Sequence, residues 1–395
     1  MKRLFLVFAF VIPLISVAQT LKTDVLVLGN SAAAFAAGIQ ASESGVNTIV
    51  LTQADGFKAI NFGNEPETGP IKAFKQRARK ALKLADSVPL PQITNQILNA
   101  VVKNWSDSSK LLDIVNNTSF LDASRSGSGW EIKLTKDKSI KAKVLVVTGD
   151  IQKILPALKI QSLKPAEINL LNYSDNVYRT TIGAVNGSSH FLSLYNLLIP
   201  DQDNLLYIQS DDLEIGQATG ATAAYSAFYK TKTSLSNLKS IQGELLGYKL
   251  PLMPFEDVNI ADSNWLAIQK VGITGILKAE LKDGKAFFNP ETKVAYTEID
   301  QPIRDYYYKA QIWFDDHKNV PVNLENTISM ICYVGNKAVD ATKDKLQKKW
   351  NNEYNFHSKY DLKKILTRRE FAVIINEFLT PFDKINVDRT GRVIR

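Results

Sequence analysis

Small residues follow a short apolar run near the start of the chain, at a spacing that suits a dinucleotide phosphate. Residues 24–29 read D-V-L-V-L-G, an apolar run that ends in Gly29, and Ser31 and Ala34 occupy the later positions of a G-x-G-x-x-G pattern. Small residues are needed there because the turn is tight, the backbone N–H groups approach the pyrophosphate, and the helix packs closely on the strand. The pattern therefore predicts a phosphate-binding turn in which two glycines are replaced.

The elements that must position this turn surround it. Residues 24–29 and 47–52 have the continuous apolar character of strands buried in a parallel sheet, and the Ala-rich stretch 30–41 between them predicts a helix packed on that sheet. A strand–helix–strand unit of about 30 residues is the dinucleotide-binding arrangement. Gln53 stands where an acidic residue ordinarily holds the adenosine ribose, and Asp55 is a nearby substitute. A Rossmann-like layer that binds no nucleotide remains the alternative.

Later segments extend the predicted sheet. Residues 141–150 read as another buried strand that ends in T-G-D, and the alternating runs 129–134 and 139–142 predict a small β-meander before it. Residues 205–208 precede a small-residue helix that opens with G-Q-A-T-G at 216–220. The sequence thus predicts an α/β fold, a Rossmann-like FAD/NAD(P)-binding parallel sheet with a small β-meander.

These segments, in this order, resemble a known family. The first-strand glycine pattern, the late T-G-D strand end, the L-I-P…D-N-L-L segment at 198–206 and the G-Q-A-x-G helix are similar to secreted bacterial FAD-dependent oxidoreductases of the glutathione-reductase-like flavoprotein superfamily. The resemblance covers about residues 23–250 and implies FAD as cofactor. It assigns roles to nine residues, which are Gly29, Ser31 and Ala34 at the pyrophosphate, Gln53 at the ribose, Thr148, Gly149 and Asp150 at the phosphate and ribitol side, and Gly216 and Gln217 at the helix N-terminus facing the flavin.

No residue of the sequence is assigned a catalytic role. His190, Tyr195 and Arg179 are the candidates for proton transfer or anion binding, but a surface loop histidine, core packing and a structural arginine are the favoured interpretations. Three widely spaced His residues and 1 Cys argue against a metal centre and exclude intrachain disulfides. Cys332 lies in an apolar context that predicts a buried, unreactive thiol.

Charge and the first residues bear on partners and location. The net charge of +8 is mild for 395 residues, so a nucleic-acid partner is not expected. The basic helix predicted at residues 71–84 is better explained as a solvated face than as a membrane surface. A basic start, about a dozen apolar residues and small residues before Gln19 predict a secretory signal peptide over 1–18, with no transmembrane segment after its removal. A secreted or periplasmic protein is expected.

The C-terminal third carries a second resemblance. F-E-D-V at 255–258, G-I-T-G at 272–275, F-N-P at 288–290 and the capping box T-R-R-E at 367–370 are similar to S-layer-homology repeats. The resemblance implies binding of cell-wall polysaccharide through the arginine at a helix start, Arg368. A helical accessory domain that stabilises the nucleotide-binding unit is the favoured alternative.

The expected organisation is a signal peptide over 1–18, an FAD/NAD(P)-binding-like domain over 19–250 and a small α-rich, repeat-like domain over 251–395. The expected function is that of a secreted FAD-dependent oxidoreductase acting on an unknown small molecule. The alternative is a non-catalytic relative that has lost FAD and serves in cell-surface or glycan binding.

Overall fold

The computed structural model describes residues 20–59, 69–90, 93–135, 137–149, 155–158, 163–185 and 187–395. The predicted signal peptide and Asp150 lie outside these residues. The strands are β1 Thr20–Leu28, β2 Thr48–Leu51, β3 Leu112–Val115, β4 Phe120–Ser126, β5 Gly129–Leu134, β6 Ser139–Thr148, β7 Ile168–Leu170, β8 Thr181–Ala184, β9 His190–Ser193, β10 Leu205–Ile208, β11 Glu280–Lys282, β12 Lys285–Phe287, β13 Asn386–Val387 and β14 Val393–Ile394.

The helices alternate with these strands in the first half of the chain and dominate the second. They are α1 Ala32–Glu43, α2 Gly69–Ala81, α3 Asn95–Ser108, α4 Leu155–Leu158, α5 Leu194–Leu197, α6 Leu213–Phe228, α7 Leu238–Gly247, α8 Trp265–Thr274, α9 Tyr296–Tyr306, α10 Tyr308–Asp316, α11 Leu324–Gly335, α12 Val339–Lys349, α13 Arg368–Phe378 and α14 Pro381–Lys384.

The main sheet confirms the predicted α/β fold class. Its order is β3-β2-β1-β6-β5-β4, and β1, β2, β3 and β6 run parallel. On one edge, strand β6 has two different neighbours along its length. Its first residues pair antiparallel with the meander strand β5, and its last residues pair parallel with β10. Strands β1 and β6 are apolar and buried at their carboxyl ends, as a parallel sheet covered on both faces requires.

Helices α1 and α6 lie together on one face of the sheet. A Cβ added at Gly216 would lie 2.4 Å from the Ala33 carbonyl oxygen, and one at Gly220 would lie 2.3 Å from that of Ala37. These distances are shorter than any side chain tolerates, so the two helices approach closely only because both positions are glycine. The contact fixes the direction in which α1 leaves the end of β1.

Two apolar clusters hold the described residues together. One lies between the opposite face of the sheet and the meander, and includes Leu26, Trp130 and Tyr207. The other fills the space around α1 and α6 and continues through Met253 into the helices after residue 264, as far as Val387. The helical C-terminal region therefore packs on the Rossmann-like unit through a shared apolar core.

A small antiparallel sheet connects the two regions. Its order is β7-β9-β8, and β8 packs along α6 through Gly183, where an added Cβ would lie 3.3 Å from that of Ala218. The hairpin formed by β11 and β12 reaches the same sheet, where the Ser189 backbone N–H and hydroxyl both donate to the Gly284 carbonyl oxygen at 3.2 and 2.7 Å. This small sheet thus contacts both α6 of the first region and the β11–β12 hairpin of the second.

Candidate functional site

The carboxyl ends of β1, β2 and β6 surround a cavity of about 420 Å³, which we call the crevice. In open α/β sheets this edge is where nucleotides bind. Five of the nine residues assigned by the resemblance line the crevice, namely Gly29, Ser31, Gln53, Thr148 and Gly149. Residues far apart in the sequence therefore meet at the edge of the sheet where the motifs predicted them.

Gly29 is the residue of the turn that only glycine satisfies. Its φ is +141°, and a Cβ added there would lie 2.0 Å from the Thr148 hydroxyl oxygen. That hydroxyl is held in place because it donates to the Leu28 carbonyl oxygen at 3.2 Å. The backbone at the end of β1 thus packs directly on the Thr148 side chain at the end of β6, and this contact requires glycine at position 29.

Ser31 serves α1 rather than projecting from the turn. Its hydroxyl oxygen accepts a hydrogen bond from the Ala34 N–H at 3.2 Å and donates to the Thr148 hydroxyl at 3.4 Å. Its side chain thereby satisfies one of the unpaired N–H groups of the first helical turn. Serine in place of the second glycine therefore keeps the helix start open toward the crevice. Ala34 is fully buried and meets the crevice with neither side chain nor N–H.

Gln53 and Asp55 lie on the exposed rim beyond β2. The Gln53 side chain is exposed in the crevice, where its amide is placed to bond a hydroxyl. The Asp55 carboxylate instead accepts a hydrogen bond from the Asn117 side-chain amide at 2.8 Å. Gln53 thus lines the crevice, and Asp55 is turned toward the end of β3.

Lys58 is a residue of the crevice that the sequence motifs did not single out. Its backbone N–H donates to the Asn30 carbonyl oxygen at 2.9 Å, so the loop after β2 is tied to the glycine turn. Its side chain lines the crevice together with Asn30, and Gln209 and Asp211 after β10 line the other side. Sequence spacing does not predict that Lys58 lines the crevice, because a backbone hydrogen bond to Asn30 brings the loop after β2 to the glycine turn.

A larger cavity of about 920 Å³ adjoins the crevice along α3 and shares Asn30, Ala54 and Lys58 with it. Its walls carry both polar and apolar side chains, and its loop is held by Asn99, whose side-chain oxygen accepts from the Phe57 N–H at 3.0 Å. The Lys103 ammonium in the wall is paired with Asp107 at 2.8 Å. Together the two cavities form an elongated cleft that begins at the glycine turn.

Helix α6 begins earlier than the sequence indicates, and this corrects the expected places of Gly216 and Gln217. The helix starts at Leu213, so both residues lie in its interior instead of at an N-terminus facing the crevice. Gly216 contacts Ala33, and the Gln217 side-chain amide donates to the Gln40 side-chain oxygen at 2.9 Å. Neither Gly216 nor Gln217 is among the described residues that line the crevice. Both hold α1 against α6.

The three candidates for proton transfer or anion binding lie elsewhere. Arg179 is 6% exposed and donates to the carbonyl oxygens of Thr274 and Gly391 at 2.9 and 3.2 Å, which makes it a structural cross-link. Half-burial raises the pKa of Tyr195, over which the Arg389 guanidinium lies at 5.7 Å. His190 begins β9 and lines neither cavity of the cleft.

Arg368 of the C-terminal capping box points into the protein. It is 4% exposed, its Nε donates to the Phe288 carbonyl oxygen at 2.7 Å, and an Nη donates to the Lys278 carbonyl oxygen at 2.6 Å. The remaining Nη pairs with Glu298. The capping box itself is confirmed, since Thr367 and Glu370 exchange their predicted hydrogen bonds. The arginine is therefore a structural connector in this state of the protein. Cys332 is buried, as predicted.

Metal-binding clusters and membrane spans do not occur in the described part of the chain. No group of three or more His, Cys, Asp or Glu side chains within it is arranged to hold a metal ion. Within the same ranges, no helix has both the length and the apolar character needed to cross a membrane.

Comparisons with known proteins give a sparse result. No family model matches the sequence, and no curated protein matches it. Solved structures with partial similarity include a flavoprotein/dehydrogenase from Cytophaga hutchinsonii (14% identity, TM-score 0.27, 37% of this chain and 44% of that chain). They also include T. acidophilum thioredoxin reductase (14% identity, TM-score 0.21, 42% of each chain).

A third is the flavin-dependent monooxygenase PieE in complex with FAD and substrate (13% identity, TM-score 0.28, 37% of this chain and 33% of that chain). The aligned part spans less than half the length of each of these three proteins. The strand order and the crevice described above, rather than these partial similarities, define the Rossmann-like class of this fold.

Proposed function

We propose that the protein binds FAD in the cleft and acts as an FAD-dependent oxidoreductase. The observation that carries this proposal is the crevice itself, where Gly29, the start of α1 and the ends of β2 and β6 meet. A helix N-terminus at the crevice favours a phosphate group, because N–H groups of the first turn and the helix dipole both attract negative charge.

The residues of the cleft fit the cofactor. Gly29 allows the ends of β1 and β6 to pack closely beside the start of α1, at the edge where a pyrophosphate would bind. Lys58 contributes a positive charge beside it, and Gln53 offers hydrogen bonds to a ribose hydroxyl. The adjoining cavity continues from the shared residues along α3, which matches the elongated shape of a dinucleotide. When bound, FAD supplies the electron-transfer chemistry, and the protein supplies binding and orientation.

The visible spectrum of the purified protein tests the proposal. We expect the absorption bands of an oxidised flavin, or their appearance as added FAD becomes protein-bound. The variant Gly29→Ala should lose this binding, because its Cβ would meet the Thr148 hydroxyl. The matched control is Gly247→Ala at the end of α7, where an added Cβ meets nothing within 4 Å. A correctly folded, colourless wild-type protein that takes up no FAD would contradict the proposal.

We further propose that this activity is exported from the cytoplasm. The support is the basic start, the apolar run and the small residues that precede Gln19 in the sequence. Expression of the full chain with Edman sequencing of the mature product tests it. We expect an N-terminus at or near Gln19 in the exported fraction, whereas an intact Met1 on all of the protein contradicts it.

A further inference from the structure

The last turn of α6 and the turn that follows it carry a group of exposed apolar side chains, which we call the aromatic end. Phe228, Tyr229 and Leu235 are 60%, 62% and 67% exposed, and the half-buried Tyr225 adjoins them. The Tyr229 ring lies 4.6 Å from that of Tyr225 and 5.1 Å from that of Phe228, between centroids. Apolar side chains exposed singly are ordinary, whereas a contiguous group of them marks a surface that contacts an apolar partner.

The fold itself holds the aromatic end outward. The turn after α6 is attached to the start of β10 by two hydrogen bonds between Asn204 and Thr233, of 2.9 and 3.0 Å. The Ser226 and Ser236 hydroxyls lie 3.1 Å apart and join the same turn to the helix. The backbone is thus fixed on both sides of Leu235, so the exposed side chains face solvent because of packing contacts elsewhere in the turn.

The aromatic end lies at the edge of the main sheet opposite the crevice. Helix α6 begins two residues after Asp211, which lines the crevice, and runs back along the sheet for 16 residues, about 24 Å. Near its end, the Lys143 ammonium of β6 donates to the Ala227 carbonyl oxygen at 3.4 Å and pairs with Asp24 of β1 at 2.6 Å. Strand β1 begins at Thr20, four residues before Asp24. The chain therefore enters β1 at the same edge as the aromatic end.

The sequence that precedes β1 has the composition of chain that enters a membrane. Residues 4–15 are almost wholly apolar and follow Lys2 and Arg3. On the proposed export route, this run inserts into the membrane and brings the Thr20 edge of the sheet to the lipid surface. A lipid surface is therefore the partner to which the aromatic end is brought closest, and the crevice at the other end of α6 points away from it.

Lysines beside the aromatic end carry charge that the protein leaves unpaired. Lys230 follows Tyr229 directly and Lys22 lies near the start of β1; both are exposed, and neither forms an ion pair with any residue that the structure describes. Lys22 also lies directly opposite Lys141 of β6 in the parallel register, where like charges repel each other. An anionic lipid headgroup would offset this repulsion, and lysine side chains reach headgroups readily while apolar neighbours insert beneath them.

We propose that the mature protein binds peripherally, through the aromatic end, to membranes that contain anionic lipid. Phe228, Tyr229 and Leu235 enter the interfacial region of the bilayer, and Lys22 and Lys230 contact the headgroups. Apolar insertion and lysine charge are each weak alone, and together they give reversible binding. The crevice stays open to the aqueous side, so ligand binding there and membrane binding are compatible.

Flotation of the full mature protein with lipid vesicles tests the proposal. Vesicles of phosphatidylcholine alone are compared with vesicles of phosphatidylcholine and phosphatidylglycerol. We expect binding to the mixed vesicles to be roughly tenfold stronger, and to weaken in about 1 M salt. Protein that does not float with the mixed vesicles overturns the proposal. A dimer in solution that Phe228→Ser dissociates also overturns it, because the aromatic end would then be covered by a second copy of the chain.

Substitutions at the surface locate the contact. The double variant Phe228→Ser, Tyr229→Ser should weaken vesicle binding roughly tenfold or more, because most of the inserted apolar area is lost. The matched control is Tyr333→Ser, whose side chain is 44% exposed on α11, a helix that packs on α10, α12 and α13. It should bind vesicles as the wild type does. Unchanged binding in the folded double variant, or an equal loss in the control, overturns the assignment.

Charge variants test the lysines separately. Lys22→Gln combined with Lys230→Gln should remove most of the preference for the mixed vesicles and leave binding to neutral vesicles unchanged. A preference for the mixed vesicles that survives in this variant contradicts the assigned headgroup contacts.

Flavin content of the same preparations separates this inference from the proposed function. The residues of the aromatic end line neither cavity of the cleft. Failure to bind vesicles in a protein that contains FAD counts against this inference alone, and vesicle binding by a protein that takes up no FAD counts against the proposed function alone.

Discussion

Helices α1 and α13 begin in similar ways and end up with opposite surroundings. Each has a hydroxyl side chain at its N-cap, Ser31 in one and Thr367 in the other. The start of α1 adjoins the crevice. The start of α13 is covered by neighbouring chain, where the Val294 N–H donates to the Leu366 carbonyl oxygen at 3.0 Å and the Arg368 N–H to that of Thr292 at 2.9 Å.

The difference shows what makes a helix start available to a ligand. Around α1, Gly29 lets the end of β1 pack closely on Thr148, and the strands on both sides end at the same edge, beside the crevice. Around α13, backbone hydrogen bonds and the inward Arg368 occupy the space that a ligand would need. A capping motif predicts where a helix begins, and the surrounding chain decides whether that end can bind anything.

The largest expected effect concerns the closed helix start. Arg368→Ala should lower the free energy of unfolding by about 3 kcal/mol, because two buried carbonyl oxygens lose their donor and Glu298 loses its partner. The control is Arg369→Ala, whose side chain is 20% exposed and pairs with Asp262 and Glu291. That change should cost about 1 kcal/mol or less. Urea unfolding measures both.

The same pair of variants can break the comparison. If Arg368→Ala keeps wild-type stability and loses retention on a cell-wall polysaccharide, the arginine serves a ligand and the start of α13 is not closed in solution. Retention measured below the unfolding transition of each variant separates these outcomes.

The next effect concerns the contact that aims the open helix start. Gly216→Ala should destabilise the protein by about 1–3 kcal/mol, since the added Cβ would meet the Ala33 backbone. Gly243→Ala in α7 is the matched control, because nothing lies within 4 Å of its added Cβ. There the better helix propensity of alanine should stabilise by about 0.5–1 kcal/mol. Thermal unfolding that gives both variants the same sign would contradict the close approach of α1 and α6.

A smaller effect sharpens the electrostatics of the crevice. Lys58→Gln should weaken FAD binding roughly tenfold, because the loop keeps its backbone bond to Asn30 while a positive charge beside the phosphate is lost. Lys103→Gln in the adjoining cavity is the control, since its ammonium is already paired with Asp107. Fluorescence titration with FAD compares them, and an equal loss in both variants would place the phosphate elsewhere in the cleft.

The smallest effect concerns charge in the helical region. Burial is the main reason that the pKa of Lys239 is lowered to about 8; Asp383 opposes this shift, and Arg179 and Lys270 add to it. The unfolded chain therefore holds this proton more tightly, so this group destabilises the protein below about pH 8 and ceases to do so as the pH rises toward 10.5.

Lys239→Met should accordingly raise the free energy of unfolding at pH 7. We expect a gain of about 1 kcal/mol, which already allows for the lost contact between the Lys239 ammonium and the Phe382 ring. The gain should shrink between pH 8 and 10.5. Urea unfolding at several pH values measures it, with the exposed Lys384→Met as control. A gain that stays constant across this range would show that Lys239 does not titrate there.

Much of the Rossmann-like unit was predictable from local patterns. The apolar run ending at Gly29, the Ala-rich stretch after it and the next apolar run correspond to β1, α1 and β2. Runs 129–134 and 139–142 fall in the meander strands β5 and β6. These features are local because strand burial and helix capping depend on residues close together in the chain.

The positions of side chains relative to other elements were not predictable in this way. The small residues of 216–220 suit either a phosphate or a close helix, and only the packing of α6 on α1 selects the second. Arg368 has the same local sequence whether it faces solvent or the Phe288 carbonyl oxygen. Lys58 enters the crevice through a backbone contact with Asn30 that no spacing encodes.

The sequence by itself determined the order of the strands and helices in the glycine-turn unit, the capping box of α13 and the buried state of Cys332. Only the tertiary structure decided that one helix start is open and the other closed. It also brought the exposed end of α6 to the edge of the sheet where β1 begins. The physical reason is that local patterns specify conformation and burial, whereas a binding surface depends on which distant side chains the packing leaves facing the same space.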